Sequence, residues 1–176
     1  MNRYSYILEK INSTTNSKII GLFPWGTVID SSSTDHKKGQ INFYEHGVEF
    51  LQQLAVKNVS VVLFLNQFKP HVLAMDDMKN FADSVEKFVR DQGVDVLGMY
   101  WCPGVDKKDP FVVPNPGMFV RVTENLNINW VDVPVLSAAE NDLSAANKVK
   151  ATPIMIGTKH NKYISYPDLA NWLQSI

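Results

Sequence analysis

Lys18-Ile-Ile-Gly-Leu-Phe-Pro-Trp-Gly-Thr-Val-Ile-Asp30 decides the fold class of this chain: an apolar run that breaks abruptly at Pro24 and Gly26. Such a run, ending in Gly and Thr, predicts a buried strand that delivers a tight loop to the edge of a sheet, where α/β proteins place their ligand sites. Between Lys18 and Val28 there is no Asp, Glu, Cys or His. The loop has the shape of a catalytic turn without the groups that do chemistry.

The stretches that follow repeat the strand-then-helix pattern. Ser31 to Gln40 is polar and patternless, which predicts a surface loop. Phe43, Gly47, Phe50, Leu51 and Leu54 recur at helical spacing, so a helix is expected from Asn42 to Lys57 with Asn42 as N-cap. Val59 to Leu65 is β-branched and apolar on both faces, as a central parallel strand requires. A second helix is expected from Met75 to Gln92, stopped at Gly93, and a third strand from Val94 to Trp101. After a proline-rich excursion, Pro116 opens a helix, Trp130 to Leu136 reads as a fourth strand and Ala139 to Val149 as a helix. Pro153 to Ile156 reads as a fifth strand, and Pro167 to Gln174 as a closing helix. Upstream, Tyr4, Ile7, Leu8 and Ile11 share one helical face, predicting a short amphipathic helix over residues 4 to 12. The alternation specifies an α/β fold: a doubly wound parallel sheet of about five strands with helices on both faces, in one domain over residues 1–176.

Totals bound the function classes. The chain has 176 residues, a net charge of -1 and scattered Lys and Arg, which recruits neither nucleic acid nor an anionic membrane. The basic pairs Lys37-Lys38 and Lys107-Lys108 fall in expected loops. Cys102 is the only cysteine, so no intramolecular disulfide forms, and a reducing cytoplasmic location is expected. The N-terminus lacks the apolar core of a signal peptide, and no apolar run approaches the roughly 20 residues of a membrane span.

From about Ile19 to Ile156 the segment order resembles the haloacid dehalogenase (HAD) superfamily, in its histidinol-phosphate and heptose-bisphosphate phosphatase branch, with no large cap domain. Four motifs carry the likeness. The family's Asp-x-Asp-Gly-Thr is matched by Phe23-Pro24-Trp25-Gly26-Thr27, and its Thr/Ser-Asn-Gln by Leu65-Asn66-Gln67. Tyr-Cys-Pro and the later lysine before Pro-x-Pro-Gly-Met are matched by Trp101-Cys102-Pro103 and Val113-Pro114-Asn115-Pro116-Gly117-Met118. Gly-Asp followed by Asp is matched by Ser137-Ala138 and Asp142. The resemblance places the nucleophile at Phe23, the general acid/base at Trp25, the phosphoryl-binding hydroxyl at Leu65, the charge-neutralising lysine at Val113 and a Mg²⁺ ligand at Ala138. Only Thr27, Asn66 and Asp142 keep the family's chemistry, and one carboxylate is a poor ligand set for Mg²⁺. The zinc loop of this branch is represented by Cys102 alone, with Gly104 where its histidine would stand.

These degenerate positions imply a catalytically inactive phosphatase-like protein, a pseudoenzyme that acts as a protein-binding or scaffolding module through an unidentified protein partner or self-association. No cofactor is expected. Two alternatives stay open: a divergent Mg-dependent phosphatase acting on a small phosphorylated metabolite, and a small-molecule binder using an apolar pocket at Phe23 and Trp25. Phosphoryl transfer rests on positioned charge, which these substitutions remove together. Elsewhere, Cys102 reads as a buried inert thiol, Ser31 to His36 as a hydroxyl-rich loop without a triad, and His46, His71 and His160 as surface or capping residues. Asp142 equally fits a carboxylate placed at a helix N-terminus. The expected contact surfaces are the 31 to 42 loop, the 102 to 116 excursion and exposed aromatics including Trp172.

Overall fold

The computed structural model describes residues 18–35, 40–66 and 74–176. The helix expected over residues 4 to 12 lies outside the described residues, as do His36, Lys37-Lys38, Gln67 and His71. The strands are β1 (Lys18–Leu22), β2 (Val59–Asn66), β3 (Val96–Cys102), β4 (Pro134–Ser137), β5 (Thr152–Ile156) and β6 (Ile164–Tyr166). The helices are α1 (Glu45–Val56), α2 (Met75–Asp91), α3 (Gly117–Leu126), α4 (Glu140–Lys148) and α5 (Leu169–Gln174). All six strands pair in parallel in the order β3-β2-β1-β4-β5-β6.

Strand β2 shows how the sequence builds two cores from one strand. Side chains alternate across a strand, so Val59, Val61, Leu63 and Leu65 enter one apolar cluster while Val62 and Phe64 enter another. Helices α1, α2 and α5 close the first cluster with Phe50, Leu54, Phe81, Val85, Leu169 and Trp172. Helices α3 and α4 close the second with Met118, Phe119, Val122, Ala145 and Ala146. Within α1, Gly47 allows the helix to lie directly on the backbone of Val28, where an added Cβ would stand 2.8 Å from Val28 Cα.

The order of strands reverses at β1. The chain runs from β1 outward through β2 and β3, then returns to place β4 on β1's other side. In open parallel sheets this switch point opens a crevice at the carboxyl ends of the strands. Here the ends of β1 and β4 meet, and the pairing continues one residue further as the Phe23 N–H donates to the Leu136 carbonyl at 3.0 Å.

Four expectations are corrected. Helix α1 starts at Glu45 with Tyr44 as its N-cap residue, rather than at Asn42. Residues 42–44 are held extended instead, because the Asn42 carbonyl accepts from Asp30 N–H and Tyr44 N–H donates to the Val28 carbonyl, each at 2.9 Å. The fourth strand begins at Pro134, not Trp130. Asp132 adopts a left-handed backbone (φ 62°) and Val133 N–H closes a turn on the Trp130 carbonyl, which keeps residues 130–133 out of the ladder. The sheet has a sixth strand, β6, whose three residues are too few to show periodicity. Trp172 is buried, 1% exposed, against Phe50, so it offers no contact surface. No helix among the described residues is long and apolar enough to cross a membrane.

Candidate functional site

The loop after β1 closes on itself. Pro24 accepts backbone hydrogen bonds from Thr27, Val28 and Ile29, and the Thr27 hydroxyl donates to the Phe23 carbonyl at 2.6 Å. Gly26 sits at φ 70°, and a Cβ there would come within 3.1 Å of the Ala138 methyl. The loop is thus seated on the end of β4. Beyond it, Asp30 accepts from the Ser32 and Ser33 hydroxyls, which hold its carboxyl down at about 2. Those hydroxyls serve a turn.

The side chains of this loop leave the edge for the two cores. Phe23 is 1% exposed and stacks on Phe64 at 5.0 Å, within an aromatic cluster that includes Phe119 and Trp130. It fills space in the second core instead of lining an open pocket. Trp25 turns to the opposite face and stacks on Phe81 at 5.1 Å, partly buried against the first core. Leu65 is fully buried in the first core, and Val113 packs partly buried against the second.

A polar cluster survives next to them. Asp142, in the first turn of α4, is 7% exposed; its Oδ1 accepts from Asn66 Nδ2 at 2.9 Å and its Oδ2 from the Ser137 hydroxyl at 2.7 Å. Ser137 Oγ in turn accepts the Ala139 N–H at 3.0 Å, so one hydroxyl both holds the carboxyl and ties down the residue that precedes α4. Burial pushes the Asp142 carboxyl up to about 7, against the pull of the Ser137 and Asn66 hydrogen bonds. Asn66 Oδ1 is buried without a partner.

Of the sequence-derived positions, the structure brings Asn66 and Asp142 into one cluster and sets Ala138 against the Gly26 turn. Phe23, Leu65 and Val113 are committed to packing, and Thr27 to its own turn. The partner that sequence reasoning did not assign is the Ser137 hydroxyl. A serine ending a strand five residues before an acid in the following helix is the signal that could have found it. The Asp142 placement also goes beyond a dipole contact, since its two oxygens are fastened to two different strands. Cys102 is buried, and burial pushes its thiol up, as expected of an inert side chain.

Mg²⁺, which this fold family implies, needs oxygen ligands in near-octahedral array. The residues present offer one carboxylate, held by two hydrogen-bond donors and raised toward neutrality, and positions 23, 25 and 138 carry Phe, Trp and Ala, which supply no oxygen ligand. Among the described residues no three His, Cys, Asp or Glu side chains converge on a point. The donor set does not fit the ion.

With a parallel sheet of order β3-β2-β1-β4-β5 and a crossover site at β1 and β4, solved structures provide the decisive comparison. The chain superposes on D,D-heptose 1,7-bisphosphate phosphatase from B. bronchiseptica, complexed with magnesium and phosphate, with a TM-score of 0.75 over 90% of this chain and 97% of that one, at 20% identity. It also matches a HAD-superfamily hydrolase of subfamily IA from Geobacter sulfurreducens, with a TM-score of 0.63 over 91% of this chain and 100% of that one, at 11% identity. The chain has the haloacid dehalogenase fold. Among curated proteins, this HAD-fold chain is 28% identical over 103 residues to the D-glycero-β-D-manno-heptose-1,7-bisphosphate 7-phosphatase of Pasteurella multocida (strain Pm70). That match takes in 53% of this chain and 56% of the relative, so it spans about half of each. No protein-family model matches the HAD-fold chain. Among the described residues no cap domain interrupts its sheet and helices.

Proposed function

We propose that this HAD-fold chain does not run the aspartyl-phosphate reaction of its fold relatives and works as a binding or scaffolding module for a protein partner or a second copy of itself. The observation that carries the reading is Phe23. It occupies the end of β1, where the sequence likeness puts the nucleophile, and it is sealed in the second core at 1% exposure. A phenyl ring has no lone pair to attack phosphorus. The Asp142 cluster supports the same reading, because each carboxylate oxygen is engaged internally.

A second reading is favoured by one feature of that cluster. A carboxyl whose pKa is raised to about 7 is matched to proton transfer at neutral pH, and two of the proteins named above are heptose-bisphosphate phosphatases. On that reading the chain is a divergent phosphatase acting on a small phosphorylated metabolite, with Asp142 as acid/base and no aspartyl phosphate.

One assay separates the two. The full chain is incubated with D-glycero-β-D-manno-heptose 1,7-bisphosphate and with generic sugar phosphates, with and without Mg²⁺, and released phosphate is measured. The binding-module reading expects release at the uncatalysed background. Turnover above background that Asp142→Asn abolishes would sink that reading and install the second.

A further inference from the structure

A cavity of about 410 Å³ opens beside the segment that joins β5 to β6, lined by Lys159, His160, Tyr163, Ser165 and Tyr166 among others. Its volume falls in the range of small-molecule sites, and none of its lining residues belongs to the Asn66–Ser137–Asp142 cluster.

The chemistry of the wall is one-sided. Lys159 is exposed and has no ion-pair partner among the described residues. Lys162 lies close by, its ammonium 5.2 Å above the ring of Tyr163. His160 Nδ1 accepts the Lys162 N–H at 3.2 Å, which leaves Nε2 as the nitrogen that carries the proton in the neutral ring. The carboxylate nearest to it is that of Glu140, 3.8 Å from Nε2 and largely exposed. No acidic side chain lines the cavity itself.

The wall is also pre-built. Ser165 Oγ accepts the His160 N–H at 2.9 Å and donates to the Tyr163 carbonyl at 3.0 Å, fastening the middle and the last residue of the loop to β6. The His160 ring stacks on Tyr163 at 5.0 Å and 18°. Tyr163 packs with Leu143 and Met155 at 7% exposure, and its hydroxyl is buried without a hydrogen-bond partner.

We propose that this cavity binds a small metabolite through its phosphate group, with Lys159 and the His160 Nε2–H on the anion and the Tyr163–Tyr166 side supplying an aromatic wall. A phosphate anion offers several acceptor oxygens to these donors and neutralises the unpaired lysine. The site stands whether or not the chain hydrolyses phosphate esters, since it shares no residue with the Asp142 cluster.

The test is a ¹H–¹⁵N NMR titration of the full chain with phenyl phosphate, and in parallel with inorganic phosphate. Saturable shifts are expected at Gly157, Lys159, His160 and Ser165. Lys159→Met, a change at an exposed position that leaves folding intact, is expected to weaken Kd about tenfold, the loss of one charge-assisted contact. Asp142→Asn is expected to leave Kd unchanged. Phenyl phosphate binding more tightly than inorganic phosphate supports an organic ester; equal affinities support recognition of the phosphate group alone. The proposal is overturned by the absence of saturation up to ~10 mM, by a Kd that Lys159→Met does not change, or by shifts that map to Asn66, Ser137 and Asp142 instead.

Discussion

Two halves of the same sheet edge have gone opposite ways. At the end of β1, Phe23 and Trp25 are absorbed by the two cores, one stacked on Phe64 and the other on Phe81. At the ends of β2 and β4, only one strand away on either side, Asn66, Ser137 and Asp142 keep a buried hydrogen-bond network. The difference lies in what each position can be exchanged for. A side chain at the end of a strand can rotate into the adjoining core and gain apolar contact. A carboxyl tied to two neighbouring strands cannot be lost without leaving buried donors unsatisfied. The apolar half therefore contributes packing, and the polar half joins β2, β4 and α4.

The largest effect should break the apolar half. Phe23→Asp places a carboxylate among Phe64, Phe119 and Trp130 and is expected to destabilise the fold by about 4 kcal/mol or more, measured by urea denaturation. It should restore no phosphatase activity. A loss below about 1 kcal/mol would mean that the end of β1 is an adaptable site and not core.

Asp142 should break the polar half through pH. Its folded pKa, about 7, lies above its ordinary value of 3.8, so its stabilising contribution is complete below pH 3.8 and is lost as pH rises through 7. Unfolding free energy should fall by roughly 2–4 kcal/mol between pH 4 and pH 8 from this group, and Asp142→Asn should flatten that component of the profile. A profile unchanged by the substitution would place the carboxyl in a solvated setting.

Ser137→Ala tests the same network from its donor side. It strands Asp142 Oδ2 and the Ala139 N–H together, for an expected cost of about 1–3 kcal/mol in chemical denaturation. It should also raise the Asp142 pKa further, visible as an upward displacement of the pH profile, because a hydrogen bond to the ionised form is removed. The smallest effect should come at the seam between the halves. Gly26→Ala puts an L residue at φ 70° against Ala138 and is expected to cost about 1 kcal/mol in thermal unfolding.

How much of this was legible beforehand follows from the range of each interaction. Val59 to Leu65 announces a strand buried on both faces because its period and branching are local properties, and the structure splits those residues between two cores. The register of Phe23 to Thr27, Leu65-Asn66 and Ser137 to Asp142 could be read because short motifs carry their own spacing. The start of α1 is not legible in the sequence because Asn42 is engaged by Asp30 from across the loop, a contact that no N-cap preference contains. Strand β6 and the burial of Trp172 were invisible for the same reason: three residues have no period, and an amphipathic stretch does not say which surface will cover it.

Sequence alone determined the parallel α/β architecture and the absence of Asp at positions 23 and 25, because hydrophobic period and residue identity are carried by the chain itself. Tertiary structure decided where those side chains go. Whether Phe23 lines a pocket or fills a core depends on Phe64 and Phe119, 41 and 96 residues away in the chain. Whether Asp142 is a dipole partner or the centre of a buried network depends on Asn66, 76 residues distant. Burial and hydrogen bonding are properties of what surrounds a group, and only folding assembles the surroundings.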